Sequence, residues 1–293
     1  MKILILSRDQ TLYSTKRLQE VCVKRGHEVV VIDSFQYNLG IGEKPEIIVQ
    51  GENLDNVHAI IPRIGALSQY SGVSLVKHFE EKNIFTTASS EGIALSHDKF
   101  KTFQYLVSEK IPLPKTVFIN SILNLEQVID FVGGFPLIIK LLEGTQGLGV
   151  ILAETKNTAI SIIETLYRTQ TKFIVQEFIK ESSGKDIRVY VVGNKLVASM
   201  ERVGQNGDFR SNIHRGGVGK KVKLSTEEEE IAIKTAQKMK LGVAGIDILR
   251  SNRGSLLLEV NSSPGFEGIE AVTKIDIASN IIEYVEEQFQ VKR

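Results

Sequence analysis

Two apolar runs near the carboxyl end carry acids where buried strands normally carry none. Val243-Ala244-Gly245-Ile246-Asp247-Ile248-Leu249-Arg250 and Ser255-Leu256-Leu257-Leu258-Glu259-Val260-Asn261 flank the segment Asn252-Arg253-Gly254. Branched residues on both sides of a short turn signal predict an antiparallel hairpin. A three-residue loop with Gly254 left-handed sets Ser251 opposite Ser255, and Asp247 then falls directly opposite Glu259. Side chains alternate along a strand, so Asn261 shares the face of Glu259. Paired carboxylates among apolar neighbours repel unless a cation joins them. Oxygen-only ligands select magnesium or manganese. A two-residue loop would instead put the acids on opposite faces, as on a half-exposed hairpin whose acids meet solvent.

The chain has 293 residues, 42% hydrophobic and 24% charged, which suits two domains or one domain with an attached lobe. Its formal charge of +1 excludes a strongly basic nucleic-acid coat and an acidic solvating tail. No apolar run approaches membrane-spanning length, so no membrane association is expected. The apolar stretch at Met1–Leu6 is too short for a secretory signal. A single cysteine, Cys22, excludes an internal disulfide or cysteine-based metal site and fits a reducing cytoplasm. It reads as a buried helix residue.

The first ninety residues alternate strand signals (Ile3–Leu6, Glu28–Ile32, Val57–Ile61) with helical stretches, the first ending near Arg25 at Gly26. This predicts a parallel sheet with helices packed on it. No Gly-x-Gly-x-x-Gly follows the first strand, which argues against a nicotinamide site. A helix opens at Ser96-His97-Asp98-Lys99-Phe100, capped by Ser96 or Asp98, with Phe100, Phe103 and Val107 as its core face. It stops at Ile111-Pro112-Leu113-Pro114. Strand (Lys115–Ile119), helix (Asn124–Val132), strand (Pro136–Lys140), glycine loop, strand (Val150–Ala153), helix (Thr158–Arg168) and strand (Phe173–Phe178) follow. A hairpin turning at Gly193-Asn194 precedes a capping box, Ser225-Thr226-Glu227-Glu228, that opens a helix to about Lys240. Glu227 to Glu230 read as first-turn acids opposing the helix dipole. His27, His58, His78 and His97 show no ligand spacing.

Two further segments carry chemistry. Lys140 ends a buried strand and is followed by glycines 144, 147 and 149, whose freedom lets backbone N–H groups point at phosphate oxygens. It is not a Walker loop, and a surface hairpin with a solvated lysine fits the same residues. The stretch Glu201–Lys221 carries three arginines and two lysines against two acids. Arginine forks match carboxylates and phosphates. A solvated loop without ligand is the plain alternative. A nucleic-acid patch would have Phe209 as its only aromatic support.

Taken together, these elements resemble the ATP-grasp superfamily, and within it the RimK-type glutamate ligases, in order over nearly the whole chain. The resemblance implies an α/β fold with an N-terminal parallel α/β pre-ATP-grasp lobe (1–95), a central lid (96–185) and a C-terminal metal-binding lobe (186–293). It implies ATP contacts from Lys99, Lys140, Gly144, Gly147, Gln176, Glu177, Phe178, Ile179, Asp186, Arg210, Ser211 and Asn212. The backbone and Glu177 of Gln176-Glu177-Phe178-Ile179 would receive adenine and ribose. Asp247, Glu259 and Asn261 match ligands of two magnesium or manganese ions. Arg202, Arg215 and Lys140 would offset the charge of the transferring phosphate. Ser211-Asn212-Ile213-His214-Arg215-Gly216-Gly217 and Asn261-Ser262-Ser263-Pro264-Gly265-Phe266-Glu267-Gly268-Ile269-Glu270 narrow the likeness to the glutamate-adding branch. The implied activity is an ATP-dependent carboxylate–amine ligase that adds L-glutamate to the C-terminal glutamate of the sixth small-subunit ribosomal protein, or makes poly-α-glutamate. The expected setting is a cytoplasmic homo-oligomer, a tetramer by resemblance. Rivals are a ligase acting on a small molecule or carrier protein, and a non-catalytic ATP-binding regulatory module.

Overall fold

The computed structural model describes residues 1–48, 54, 56–65, 68–142, 149–205, 208–211 and 216–291. Strands β1 (Lys2–Leu6), β2 (Glu28–Ile32), β5 (Ala59–Pro62) and β6 (Phe85–Thr86) form a parallel sheet in the order β2-β1-β5-β6. Their runs of Ile, Leu and Val suit strands covered on both faces. Helices α1 (Tyr13–Lys24) and α2 (Gln69–Glu81) belong to this unit. Gly26, at φ +77°, stops the first helix as its position predicts. A side ribbon of β3 (Asn38–Ile41) and β4 (Pro45–Ile48) packs near α2, an element that periodicity does not announce.

Helix α3 (Ser90–Ser96) and helix α4 (Lys99–Ser108) lead into the second sheet. Asp98 is the cap of α4, accepting from the N–H groups of Phe100 and Lys101, whereas Ser96 ends α3. The expected core face is corrected: Thr102, Phe103 and Leu106 are buried, while Val107 is 62% exposed. The inward face includes a threonine, and apolar spacing alone could not show that. Strands β7 (Thr116–Phe118), β8 (Leu137–Leu141), β9 (Val150–Ala153) and β10 (Phe173–Glu177) pair antiparallel in the order β7-β10-β8-β9. Helices α5 (Leu125–Phe131) and α6 (Lys156–Arg168) cover this sheet, which has its own apolar cluster.

The third sheet runs β13-β12-β11-β14-β15. Its strands are β11 (Lys185–Val192), β12 (Lys195–Val203), β13 (Val218–Lys221), β14 (Val243–Ser251) and β15 (Gly254–Asn261). The turn between β11 and β12 is Gly193-Asn194, as its composition predicts. Helix α7 (Thr226–Lys238) opens with the complete Ser225/Glu228 capping box. Glu228 does more than face the dipole, because its buried carboxylate accepts from Arg250 Nε at 2.6 Å. Helices α8 (Glu267–Thr273) and α9 (Ile277–Val291) close the chain. Two apolar clusters run without a break from the first sheet into the third. No described helix is long and apolar enough to cross a membrane.

Candidate active site

The acids of the carboxyl-end hairpin do face each other, by a route other than the three-residue loop. Ser251 pairs with Gly254, so the turn has two residues, Asn252-Arg253. That alone would place Asp247 and Glu259 on opposite faces. A β-bulge between Asp247 and Ile248 intervenes: Ile248 pairs with Leu257 and Asp247 with Glu259, which leaves Leu258 as the extra residue. The bulge resets the alternation. Asp247 meets Glu259, and Asn261 pairs two residues on with Gly245.

Asp247 lies at 1% exposure with a dense set of donors. Arg188, directly across on β11, grips it with both Nε and Nη2, the latter 2.8 Å from Oδ2. Arg202 Nη2 donates to the same Oδ2 at 2.8 Å, and Arg202 also forks onto Asp186 at 2.7 and 2.6 Å. The Asn261 amide nitrogen approaches Oδ2 at 3.5 Å. Burial raises the cost of the Asp247 charge, but the Arg188 and Arg202 guanidinium groups outweigh it and hold the carboxyl below its usual range. For Asp186 burial prevails, with repulsion from Asp247 against the pull of Arg202, and its pKa goes up. Ser211 also hydrogen-bonds Asp186.

The lysines arrive from other elements. Lys99, in the first turn of α4, lies 3.7 Å from Glu259 Oε1. Lys140 on β8 faces Glu259, Lys99, Asp186 and Asp247; burial pushes it down to about 8, against the attraction of Glu259. At the strand end behind it, Gln176 is buried and donates to Thr116 Oγ1 at 2.9 Å. Glu177 accepts both arms of Arg253 at 2.6 and 2.5 Å and the Lys115 N–H at 3.1 Å. Ile179 is buried beside the partly buried Phe178. Arg210 is held by Asp208 through Nε at 2.9 Å. Gly144, Gly147, Asn212 and Arg215 lie outside the described residues.

Sequence spacing missed Arg188 and Arg253. The first sits in Asp186-Ile187-Arg188, where only knowledge of which strand neighbours β14 reveals its partner. The second lies in the hairpin turn itself and reads there as a turn residue.

The donor set fits a hard divalent cation. Among the described residues no cluster of three His, Cys, Asp or Glu side chains gathers. The site offers two carboxylates and an amide, all oxygen donors, so nucleotide phosphates or water must complete a shell. Among the described residues Asp247 Oδ1 accepts from Arg188 alone and keeps a lone pair. Glu259 is partly exposed, and Asn261 commits only its nitrogen.

Two family models match the chain: a RimK pre-ATP-grasp domain over residues 1–93 and a RimK-like ATP-grasp domain over residues 96–285. A probable alpha-L-glutamate ligase of Cellvibrio japonicus is 50% identical over 288 residues, covering 98% of this chain and 96% of that one. A protein of the same description from Maridesulfovibrio salexigens is 50% identical over 291 residues, with 99% and 97% covered. Among solved structures, the ATP-grasp ligase PsnB complexed with minimal precursor, Mg and ADP superposes with a TM-score of 0.76 at 20% identity, over 99% of this chain and 98% of that one.

Proposed function

Since this chain is a member of the RimK-like ATP-grasp family, whose fold and relatives make it an ATP-dependent ligase, we propose that it is an α-L-glutamate ligase. It activates an acceptor carboxylate as an acyl phosphate and joins it to the amino group of L-glutamate. The acceptor is the C-terminal glutamate of the sixth small-subunit ribosomal protein, with poly-α-glutamate arising by the same chemistry on the growing product. The relatives at 50% identity carry the glutamate ligase description. The observation that carries the reading is the facing pair Asp247 and Glu259, with Lys99 3.7 Å from Glu259 and Arg202 on Asp247.

In this reading Asp247, Glu259 and Asn261 hold two magnesium or manganese ions. The ions, when bound, supply charge neutralisation to the triphosphate. Lys99 and Lys140 bind phosphate oxygens with Gly144 and Gly147; an anionic phosphate beside Lys140 favours its charged form, against the burial that lowers its pKa. Gln176, Glu177, Phe178 and Ile179 receive the adenosine end, and Asp186, Arg210, Ser211 and Asn212 flank the phosphates. Arg202 and Arg215 offset the charge that develops as the γ-phosphoryl group passes to the acceptor carboxylate. The amine of glutamate then displaces phosphate. No side-chain nucleophile is required, but water must be excluded because acyl phosphates hydrolyse.

The reading is tested by ADP release with ATP, magnesium, L-glutamate and a glutamate-terminated peptide, and by mass spectrometry of ribosomal proteins incubated with the enzyme. A mass increment of one or more glutamate residues on a single ribosomal protein is expected. Glu259→Gln should cut turnover by about 100-fold or more, on the scale of a lost transition-state electrostatic contact, with an unchanged circular dichroism spectrum. Full turnover in that variant contradicts the ligand role.

A further inference from the structure

Arg63 follows β5 at its carboxyl end. In the order β2-β1-β5-β6 the chain leaves β1 on one side for β2 and returns on the other for β5. The strand order therefore reverses between β1 and β5, and ligands of open α/β sheets bind outside the carboxyl ends at such a point. The Arg63 N–H bonds to Leu6 O at 2.8 Å, which fixes the two strand ends together.

The side chain of Arg63 is mostly withdrawn from water, yet no carboxylate meets it among the described residues. Nη2 donates to Pro264 O at 2.8 Å and Ser14 Oγ at 3.2 Å, and the guanidinium carbon lies 5.8 Å from the centre of the Phe266 ring. The Tyr190 hydroxyl is its remaining polar neighbour, and burial lowers its pKa. Every other buried or half-buried arginine described at this end of the molecule has an acid: Arg188 and Arg202 share Asp247, and Arg202 also holds Asp186. A guanidinium has five N–H donors, and among the described residues those of Arg63 reach only neutral acceptors, Pro264 O, Ser14 Oγ and the Tyr190 hydroxyl. An unpaired charge in such a place carries a desolvation penalty that a neutral side chain would avoid.

The position joins the site already described. Ser263 Oγ accepts from the Ile64 N–H at 3.0 Å, so the strand end touches the loop that follows Asn261. Pro264 packs on Gly245, the residue paired with Asn261 and adjoining Arg188. We propose that Arg63 is the anchor for a substrate carboxylate, docked in the crevice between the ends of β1 and β5 beside the 262–266 loop. This rests on the ligase reading above and supplies it with a carboxylate subsite on the N-terminal sheet. Two substrates carry that group: the free amino acid and the C-terminal end of the acceptor.

Steady-state kinetics of ADP release on Arg63→Gln and Arg63→Lys separates them. L-glutamate is varied at saturating tri-glutamate peptide, and the peptide is varied at saturating L-glutamate. A charge-assisted hydrogen-bonded pair lost from binding raises one KM about 10- to 100-fold. The KM for ATP stays unchanged, and the lysine variant recovers part of the loss. A rise confined to L-glutamate assigns the subsite to the incoming amino acid, and a rise confined to the peptide assigns it to the acceptor. Either supports the inference. Unchanged KM values for both, in a variant with a wild-type thermal melt, overturn it. So does a parallel rise in the KM for ATP, which marks a brace for the 262–266 loop. Loss of folding in both variants also overturns it, because a carboxylate anchor is dispensable for folding. Wild-type enzyme that releases no ADP with either carboxylate sinks the ligase reading and this inference with it.

Discussion

At the residue scale, Arg202 answers to two acids at once. It is 6% exposed and bridges two acids from neighbouring strands, Asp186 and Asp247. Neutralising it leaves two buried carboxylates sharing too little positive charge. Arg202→Gln should lower unfolding stability by about 3–5 kcal/mol, the usual penalty for breaking a buried ion pair from one side. Urea denaturation measures this, and a loss below about 1 kcal/mol would mean that Arg188 alone suffices for Asp247. Cys22 illustrates a different effect. Burial pushes its thiol from 9.0 up to about 12. The folded state therefore keeps the proton that the unfolded chain gives up. The stability this contributes is complete below pH 9 and declines as pH rises toward 12. Iodoacetamide at pH 9 should alkylate the native protein far more slowly than the urea-unfolded one. Equal rates would show the thiol to be accessible and ordinary.

At the scale of elements, the bulge on β15 decides whether the hairpin can hold a cation at all. Inserting an alanine between Leu258 and Glu259 moves Glu259 one position further along β15 and turns its side chain to the other face. Magnesium-dependent ADP release should fall about as far as in Glu259→Gln, roughly 100-fold or more, while circular dichroism reports a retained sheet. Unimpaired release would show that the facing pair is dispensable. The hairpin also shows what was legible beforehand. A three-residue loop predicted a register with Asp247 opposite Glu259, and that pairing is present. The loop length assumed for it was one residue too long, and a bulge of one residue makes up the difference. Bulges arise from backbone twist and packing and leave little trace in residue identity. The capping box at Ser225, the stop at Gly26 and the Gly193-Asn194 turn were legible because each depends on neighbours in the chain. Arg188 on Asp247 and Arg253 on Glu177 were hidden for the opposite reason, since their partners lie 59 and 76 residues away.

Across the whole molecule, the first and third sheets share continuous apolar clusters, while the second keeps a cluster of its own. Polar contacts tie the second sheet and its exit to the hairpin of the third. Arg253 forks onto Glu177, Asn252 N–H reaches Glu181 Oε1 at 3.2 Å, and Ser182 Oγ donates to Arg250 O at 2.7 Å. Such an attachment suits a body that hinges over nucleotide. Arg253→Ala should raise the KM for ATP several-fold, about 1 kcal/mol for a partly exposed pair, with kcat nearly unchanged. An unchanged KM would separate the clasp from nucleotide binding.

The guanidinium groups on Asp247 have one more consequence. Because charge balance at that acid comes from within the chain, chelation is expected to leave the native form intact. On the proposed function, a cell short of magnesium or manganese would idle the protein without exposing it to degradation, and work would resume when the ion returned, with no new synthesis.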